Sequence, residues 1–150
     1  MKSMKKIGLV LLFAVLFACD KFDKCDGVIC FTPPPGFYLE IIDKESSENL
    51  YSIDNLNVNE ISITGTNNED VSISFINENN VNLINISDIG WIMGYHSYIL
   101  KLSNDIEIII NIEMEERNSD CCTFYEVLQF EIEEYEFKRS IYSEIIKVKI

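Results

Sequence analysis

The sequence predicts an all-β domain, a single antiparallel β-sandwich that follows an N-terminal signal segment. Its most regular stretch, Ile106 to Met114, has an apolar residue at every second position, the period of a strand that has one buried face. The other face carries Glu107, Ile109, Asn111 and Glu113. Eight or nine such short segments follow one another at intervals of about 8 to 12 residues, separated by polar turns. No stretch of any length has the period of a helix, so the pattern favours a sandwich.

The first 18 residues are predicted to be a signal peptide. Three lysines precede an apolar run of twelve residues, Ile7 to Ala18, and a hydrocarbon core requires about 20 helical residues. Residues 1–18 therefore stay outside the fold. Residues 19–36 form a tether that ends in the stiff run Pro33-Pro34-Pro35, and residues 37–150 form the sandwich domain.

Composition restricts the partners of the exported chain. Without Lys2, Lys5 and Lys6, 9 basic residues face 25 acidic ones, a net charge of −16. Such a surface repels phosphate backbones and anionic headgroups, so we expect no nucleic-acid partner. The 132 residues that remain are enough for one domain with a core of its own.

The first half of the domain is predicted to contain a hairpin and three short strands. Phe37, Leu39 and Ile41 share one face of the opening strand, and the polar residues 43–49 form the turn that leads to Leu50. The next β-like runs are separated by Asn-rich turns. They are Val58 to Ile63, Val71 to Phe75 and Val81 to Ile86.

The second half begins with a loop or bend at Gly90 to Tyr95. Tyr98, Leu100 and Leu102 precede the isoleucine strand, and an acidic turn is predicted from Glu115 to Asp120. The last two strands alternate as well. The first of them places Leu128, Phe130 and Ile132 on one face, and the final one places Tyr142, Ile146 and Val148 opposite Lys147 and Lys149.

Four cysteines other than Cys19 are predicted to form disulfides, because the domain is exported. Adjacent Cα atoms are about 3.8 Å apart, which is below the usual span of a disulfide, so Cys121 is not expected to bond to Cys122. We therefore expect Cys25 and Cys30 to bond to the Cys121-Cys122 pair, with the connectivity left open. A four-thiolate zinc site is the alternative, and adjacent cysteines are an awkward spacing for it.

The sequence contains little that supports catalysis. His96 is the single histidine, and no nucleophile-elbow, zinc-protease or phosphate-loop motif is present. A carboxylate pair of the glycosidase type is the remaining catalytic option, and alternating glutamates are more often a solvated strand face. Its candidates are Glu131, Glu133, Glu134 and Glu136.

Two further sites are conceivable, and no cofactor is expected. Trp91, Tyr95 and Tyr98 could form a ligand-stacking patch, although core packing is the commoner role of a tryptophan such as Trp91. Calcium could bind a group of four acidic residues, although an ordinary solvent-exposed turn is the commoner role of such a group. That group is Glu113, Glu115, Glu116 and Asp120.

Leu16-Phe17-Ala18-Cys19 resembles the lipobox of bacterial lipoproteins. The resemblance implies cleavage before Cys19 and attachment of two or three acyl chains such as palmitate, which anchor stably at about 0.8 kcal/mol per buried methylene. An ordinary signal peptide with an incidental cysteine is the alternative. If Cys25 is bonded to the domain, the free tether is Asp20 to Lys24, a reach of roughly 20 Å.

Several motifs resemble small uncharacterised lipoproteins of the Bacteroidetes type. They are Cys30-Phe31-Thr32-Pro33-Pro34-Pro35, Asp43-Lys44, Glu48-Asn49-Leu50 and Cys121-Cys122-Thr123. The opening strand and turn are also loosely similar to transthyretin-like modules, which implies an immunoglobulin- or transthyretin-like sandwich. The acidic residues after Cys19 resemble export signals to the cell surface, whereas Asp20 would resemble an inner-membrane retention signal in other envelopes.

Together these features predict a non-enzymatic lipoprotein of the cell envelope, held to the lipid bilayer through acylated Cys19. Its place would be the outer membrane or cell surface, with a periplasm-facing orientation as the alternative. Its partner would be an envelope protein or a glycan. The competing hypotheses are a carboxylate-dependent, glycan-active hydrolase and a calcium-stabilised adhesin module.

Overall fold

The structure is a β-sandwich, seen in a computed structural model that describes residues 25–30, 32–52, 57–78, 81–140 and 143–150. The predicted signal peptide, residues 1–18, and Cys19 lie outside the described residues. Nine strands and two short 3-10 helices make up the described part. The strands are β1 (Tyr38–Ile42), β2 (Ser62–Gly65), β3 (Ser74–Glu78), β4 (Val81–Asn85), β5 (Gly94–Lys101), β6 (Glu107–Ser119), β7 (Cys122–Ile132), β8 (Glu136–Arg139) and β9 (Ile145–Lys149), and the 3-10 helices are Val58–Glu60 and Asp88–Trp91.

Two sheets form the sandwich, and both are mainly antiparallel. The five-stranded sheet has the order β3-β4-β1-β9-β8, and the four-stranded sheet has the order β2-β5-β6-β7. The pairing of β1 with β9 is parallel, with Tyr38 opposite Ile145 and Ile42 opposite Lys149. The prediction of an antiparallel sandwich is thus confirmed for the two-sheet architecture and needs correction for this pair, whose long connection permits a parallel register.

The core lies between the sheets and is rich in isoleucine. Alternation in β6 sends Ile108, Ile110 and Ile112 inward, and none of the three is accessible to solvent. Full burial of such a side chain contributes roughly 1.5 to 3 kcal/mol. The same core includes Phe37, Leu39, Ile41, Ile84, Ile86, Ile89, Tyr98, Leu100, Leu102, Ile146 and Val148.

The predicted opening hairpin is present in a shortened form. Ile42 forms a bridge with Asn49, and the N–H of Leu50 donates to the carbonyl of Ile41. The carboxylate of Asp43 accepts hydrogen bonds from the N–H groups of Glu45 and Ser46, at 3.1 and 2.7 Å. These bonds close the turn, as short polar side chains commonly do.

Two of the predicted early strands begin later than expected. Val58–Glu60 is a 3-10 helix because the side chain of Asn57 accepts the N–H of Asn59 and caps it. The strand then runs over Ser62–Gly65, and β3 begins at Ser74 rather than Val71. Val81–Asn85 agrees with its prediction.

The predicted loop or bend from Gly90 to Tyr95 is only partly right. Residues Asp88–Trp91 form a 3-10 helix, and β5 already begins at Gly94, whose φ of 90° suits glycine. Ile89 is fully buried and fixes the short helix to the core.

The predicted acidic turn from Glu115 to Asp120 is wrong. β6 continues to Ser119, and the reversal occurs at Asp120, whose φ is 47°. Arg117 makes this possible because its guanidinium contacts Glu115 at 2.7 Å and Glu126 at 2.8 Å, so the carboxylates there do not simply repel each other.

A β-bulge changes the predicted inner face of β7. Gln129 pairs with Glu113 and Val127 with Met114, so Leu128 is the extra residue between them. Leu128 is 47% exposed instead of lying beside Phe130. In the last strand Ile146 and Val148 face the core as predicted, while Tyr142 lies outside the described residues.

Candidate ligand-binding surfaces

Two disulfides join the N-terminal segment to the turn between β6 and β7. Cys25 bonds to Cys121 and Cys30 bonds to Cys122, with Cα atoms 5.1 and 5.4 Å apart. These pairs agree with the prediction that the first two cysteines bond to the adjacent pair. The end of the sandwich that holds these cysteines and the helix Asp88–Trp91 is called the disulfide end below.

An open groove lies at the disulfide end, with a volume of about 350 Å³. Trp91 lies edge-on to Tyr125, with ring centroids 5.5 Å apart. The groove is lined by Cys30, Thr32, Pro33, Trp91, Cys121, Thr123 and Tyr125. Gly90 lets the short helix approach Pro34 and Pro35 closely, because a Cβ at this position would lie 3.0 Å from the Pro34 side chain.

The predicted aromatic patch does not assemble. Trp91 is 57% exposed and is not a core residue, which corrects the expectation of core packing. Tyr98 is fully buried, so it cannot stack on a ligand. Tyr95 is exposed, and it lies on the opposite face of β5 from Tyr98, beside Glu113.

Two buried tyrosine hydroxyls, on Tyr51 and Tyr98, have no hydrogen-bond partner in the described part of the chain. Burial raises the pKa of Tyr51. Burial, and secondarily the charge of Glu69, raises the pKa of Tyr98. Both phenols therefore stay neutral at physiological pH, and neither is suited to act as a base.

The predicted catalytic candidates occupy structural positions. Nε2 of His96 lies 2.9 Å from the carbonyl of Met93. Glu133 accepts a hydrogen bond from buried Asn111, at 2.7 Å, and Asn111 in turn accepts from Ser97. Glu131 is exposed on β7, and Glu136 contacts Lys44 at 3.6 Å.

Metal ligands do not converge on the predicted calcium group either. Among residues 25–150 as described, no three His, Cys, Asp or Glu side chains are grouped closely enough to hold an ion. The ion pair with Arg117 also occupies Glu115. The four cysteines of the alternative zinc site are taken up by the two disulfides.

Lysines form the second candidate surface, on the outer face of β8, β9 and β1. A shallow pocket of about 160 Å³ lies there, lined by Ile42, Glu136, Phe137, Lys138, Lys147 and Lys149. We call this the lysine pocket. Lys138 lies directly opposite Lys147 in the β8–β9 ladder, a placement of like charges that is unfavourable without an anion nearby.

Neighbouring carboxylates neutralise only part of this charge. Lys147 contacts Glu40 at 2.8 Å, and Lys44 at the rim contacts Glu136. Glu136 lies directly opposite Lys149 in the β8–β9 ladder. Among the described residues neither Lys138 nor Lys149 makes an ion pair within 4 Å. Residues 25–150 contain 7 basic and 23 acidic side chains, and four of the 7 lie at this pocket.

The lysine pocket and the disulfide end lie at opposite ends of β1. The strand begins just after the proline segment, which contacts Gly90, and it ends at Ile42, opposite Lys149. Five residues at about 3.3 Å each separate the two ends by roughly 13 to 17 Å along the strand. The sandwich is therefore polarised along its strands.

Sequence reasoning missed the lysine pocket, although part of the signal was visible. The sequence pattern puts Lys147 and Lys149 on one face of the last strand, but the pairing of Lys147 with Lys138 depends on a register that no local pattern specifies. Lys44 joins them only because β1 pairs with β9, over 100 residues away in sequence.

No helix in the described ranges is long and apolar enough to cross a membrane. Comparison with known proteins adds no relative: no protein-family model, no curated protein sequence and no solved structure matches the chain. The lipoprotein resemblance therefore remains a prediction from the sequence.

Proposed function

We propose that this chain is a non-enzymatic, lipid-anchored protein of the bacterial cell envelope that captures an acidic segment of a partner protein at the lysine pocket. The observation that carries the binding role is the concentration of four of the seven cations of residues 25–150 around one small pocket. The surrounding acidic surface repels anions elsewhere and so directs them to this pocket.

The position of β8 supports an extended peptide as the ligand. β8 is an edge strand of its sheet, so no described strand pairs with its outer row of backbone N–H and C=O groups, and an added strand could pair there. An acidic side chain on such a strand could reach Lys138, which has no carboxylate partner among the described residues. Backbone hydrogen bonds would then supply affinity, and charge would supply selectivity.

The anchoring role is supported by the lipobox-like sequence of residues 16–19, which follows a basic and then an apolar segment. Metabolic labelling with an alkyne fatty acid tests it in the full chain. We expect label on the wild-type protein and recovery in the membrane fraction, and loss of the label in Cys19→Ala. An unlabelled wild-type protein that is released into the soluble fraction would refute anchoring.

Binding is tested with the purified protein and a synthetic peptide of alternating glutamate and threonine. We expect Lys138→Glu to weaken the affinity roughly tenfold, the equivalent of about 1.4 kcal/mol, and added salt to weaken it further. Lys101→Glu is the matched control, with the same charge change on β5 of the other sheet. Equal losses in both variants, or no binding by the wild type, would refute the lysine pocket as the site.

An acidic polysaccharide such as polygalacturonate serves as the competing probe. Binding of the polysaccharide without binding of the peptide would show that the pocket recognises glycans rather than an added strand. A hydrolase is less well supported, because Glu133 is engaged by Asn111 and Glu136 by Lys44.

A further inference from the structure

Three large apolar side chains at the disulfide end are exposed to solvent instead of packing in the core. Ile29 is 93% exposed, Val28 is 49% exposed and Trp91 is 57% exposed. Ile29 precedes Cys30, which lines the same groove as Trp91. Large apolar side chains grouped in this way commonly mark a surface that meets another apolar phase.

Covalent bonds fix the position of this group. Val28 and Ile29 lie between Cys25 and Cys30, and each of these cysteines is bonded to the β6–β7 turn. The N–H of Val28 also donates to the carbonyl of Cys25 at 3.2 Å. The apolar residues are thus held on the surface at a defined place.

The chain length outside this segment indicates what the group contacts. Five residues, Asp20 to Lys24, separate Cys25 from the proposed lipid attachment at Cys19. They span at most roughly 20 Å, so the disulfide end cannot move far from the bilayer surface if Cys19 is acylated. The opposite end of β1, with the lysine pocket, is then directed away from the lipid.

We infer that Val28, Ile29 and Trp91 form a second membrane contact, inserted at the bilayer interface beside the lipid anchor. This inference rests on the proposed anchoring of Cys19. Tryptophan prefers the interface because its ring has an apolar body and a polar N–H, and isoleucine adds apolar area that can be buried. Amphipathic contacts of this kind reach about 5 to 10 Å into the headgroup and acyl boundary.

Charge determines which lipids suit the contact. Asp26 and Asp120 lie at the same end, in the turn after Cys25 and next to Cys121. Carboxylates close to an anionic membrane are repelled, so zwitterionic lipids should support the contact better. Burial of these apolar side chains in a bilayer that the acyl anchor keeps close, rather than charge attraction, therefore favours the contact.

The protein contains a single tryptophan, so its fluorescence reports on this contact alone. The test uses the full lipidated chain in phosphatidylcholine vesicles that carry a nitroxide either near the headgroup or deep in the acyl chain. We expect Trp91 of the lipidated chain in vesicles to emit at a shorter wavelength than Trp91 of the unlipidated Cys19→Ala chain in buffer without detergent. We also expect stronger quenching by the shallow nitroxide than by the deep one.

Ile29→Asp should reduce the quenching and move the emission back to longer wavelength while flotation with the vesicles persists. Ile29 is almost fully exposed, so this variant should fold normally. Val58→Asp is the matched control, since Val58 is 42% exposed and lines a separate pocket with Tyr51 and Leu83. In the control, the nitroxides should quench Trp91 fluorescence as strongly as they do in the wild type.

The outcomes separate the two proposals. Wild-type protein that floats with the vesicles but shows no quenching would overturn the membrane contact and leave the anchor intact. Protein that carries no lipid and does not float would overturn both. Equal losses in Ile29→Asp and Val58→Asp would also contradict the assignment, because the effect would not belong to the disulfide end.

Discussion

The two ends of the sandwich are built by different means. At the disulfide end, covalent bonds hold a segment that has little apolar contact with the core, and Ile29 and Trp91 remain exposed. At the lysine end, meaning the end of β1 beside Lys149, no cross-link is present among the described residues, and the core itself reaches Leu100 and Leu102. At the disulfide end the cross-links hold the segment in place, so its exposed side chains need not contribute to the stability of the fold. The lysine end depends on packing of buried side chains instead.

The largest expected effect tests the covalent side of this comparison. Both disulfides join the same two short segments, so either one alone keeps the long loop closed. The first cross-link closes a loop of over 90 residues, worth about 4.7 kcal/mol in the chain-entropy model, while the second closes only about seven more residues, worth about 2.4 kcal/mol. We expect the removal of one pair to cost about 2.4 kcal/mol and the removal of both to cost about 7 kcal/mol.

Chemical denaturation of the serine variants measures these costs. Cys25→Ser with Cys121→Ser removes one bond, and Cys30→Ser with Cys122→Ser removes the other. If the loss from removing both pairs only equalled the sum of the two single-pair losses, the disulfides would not act on a shared loop.

A smaller effect is expected from a cavity at the lysine end. Leu102 is fully buried after β5, so Leu102→Ala should lower the free energy of unfolding by about 2 to 5 kcal/mol. Ile99→Ala on β5 is the control, because Ile99 is 37% exposed and its truncation should cost less than that of a fully buried leucine. A loss no larger than that of the control would mean that packing does not stabilise this end.

The smallest effect is a pH dependence in the β1 turn, which also lies at the lysine end. Hydrogen bonds from Ser46, and then from the N–H of Glu45, hold the pKa of Asp43 below its ordinary value. Because the folded pKa is lowered, this contribution is present above the unfolded value of about 3.9 and is lost as the pH falls through the folded value. Asp43→Ala should therefore be destabilising at pH 7 and much less so near pH 2.

Denaturation at the two pH values gives the comparison, with Asp105→Ala as the control. In the described residues the carboxylate of Asp105 accepts no hydrogen bond, so this variant controls for the loss of a surface carboxylate from a turn. A constant difference for Asp43→Ala would contradict the role assigned to its carboxylate.

The parts of the fold that sequence could predict are those with strictly local causes. The alternation from Ile106 to Met114 predicted the buried face of β6, because period two follows directly from strand geometry. The adjacent cysteines predicted their partners because backbone geometry disfavours a bond between them. Polar turns such as that at Asp43 were visible for the same local reason.

The features that escaped prediction depend on distant pairings. Leu128 faces solvent because a bulge against Glu113 shifts the register, and Glu115 continues a strand because Arg117 neutralises it. The lysine pocket needs β1, β8 and β9 side by side, which no single stretch encodes. Trp91 is exposed because the proline segment and Tyr125 surround only part of its short helix.

The parallel pairing of β1 with β9 has a consequence for the time at which the protein can fold. Tyr38 and Ile145 are register partners although 107 positions separate them, and such non-local contacts make folding slow. A chain that emerges N-terminus first leaves β1 without this neighbour until Ile145–Lys149 has been synthesised. The five-stranded sheet can therefore be completed only after β9 has been synthesised, because β9 lies between β1 and β8.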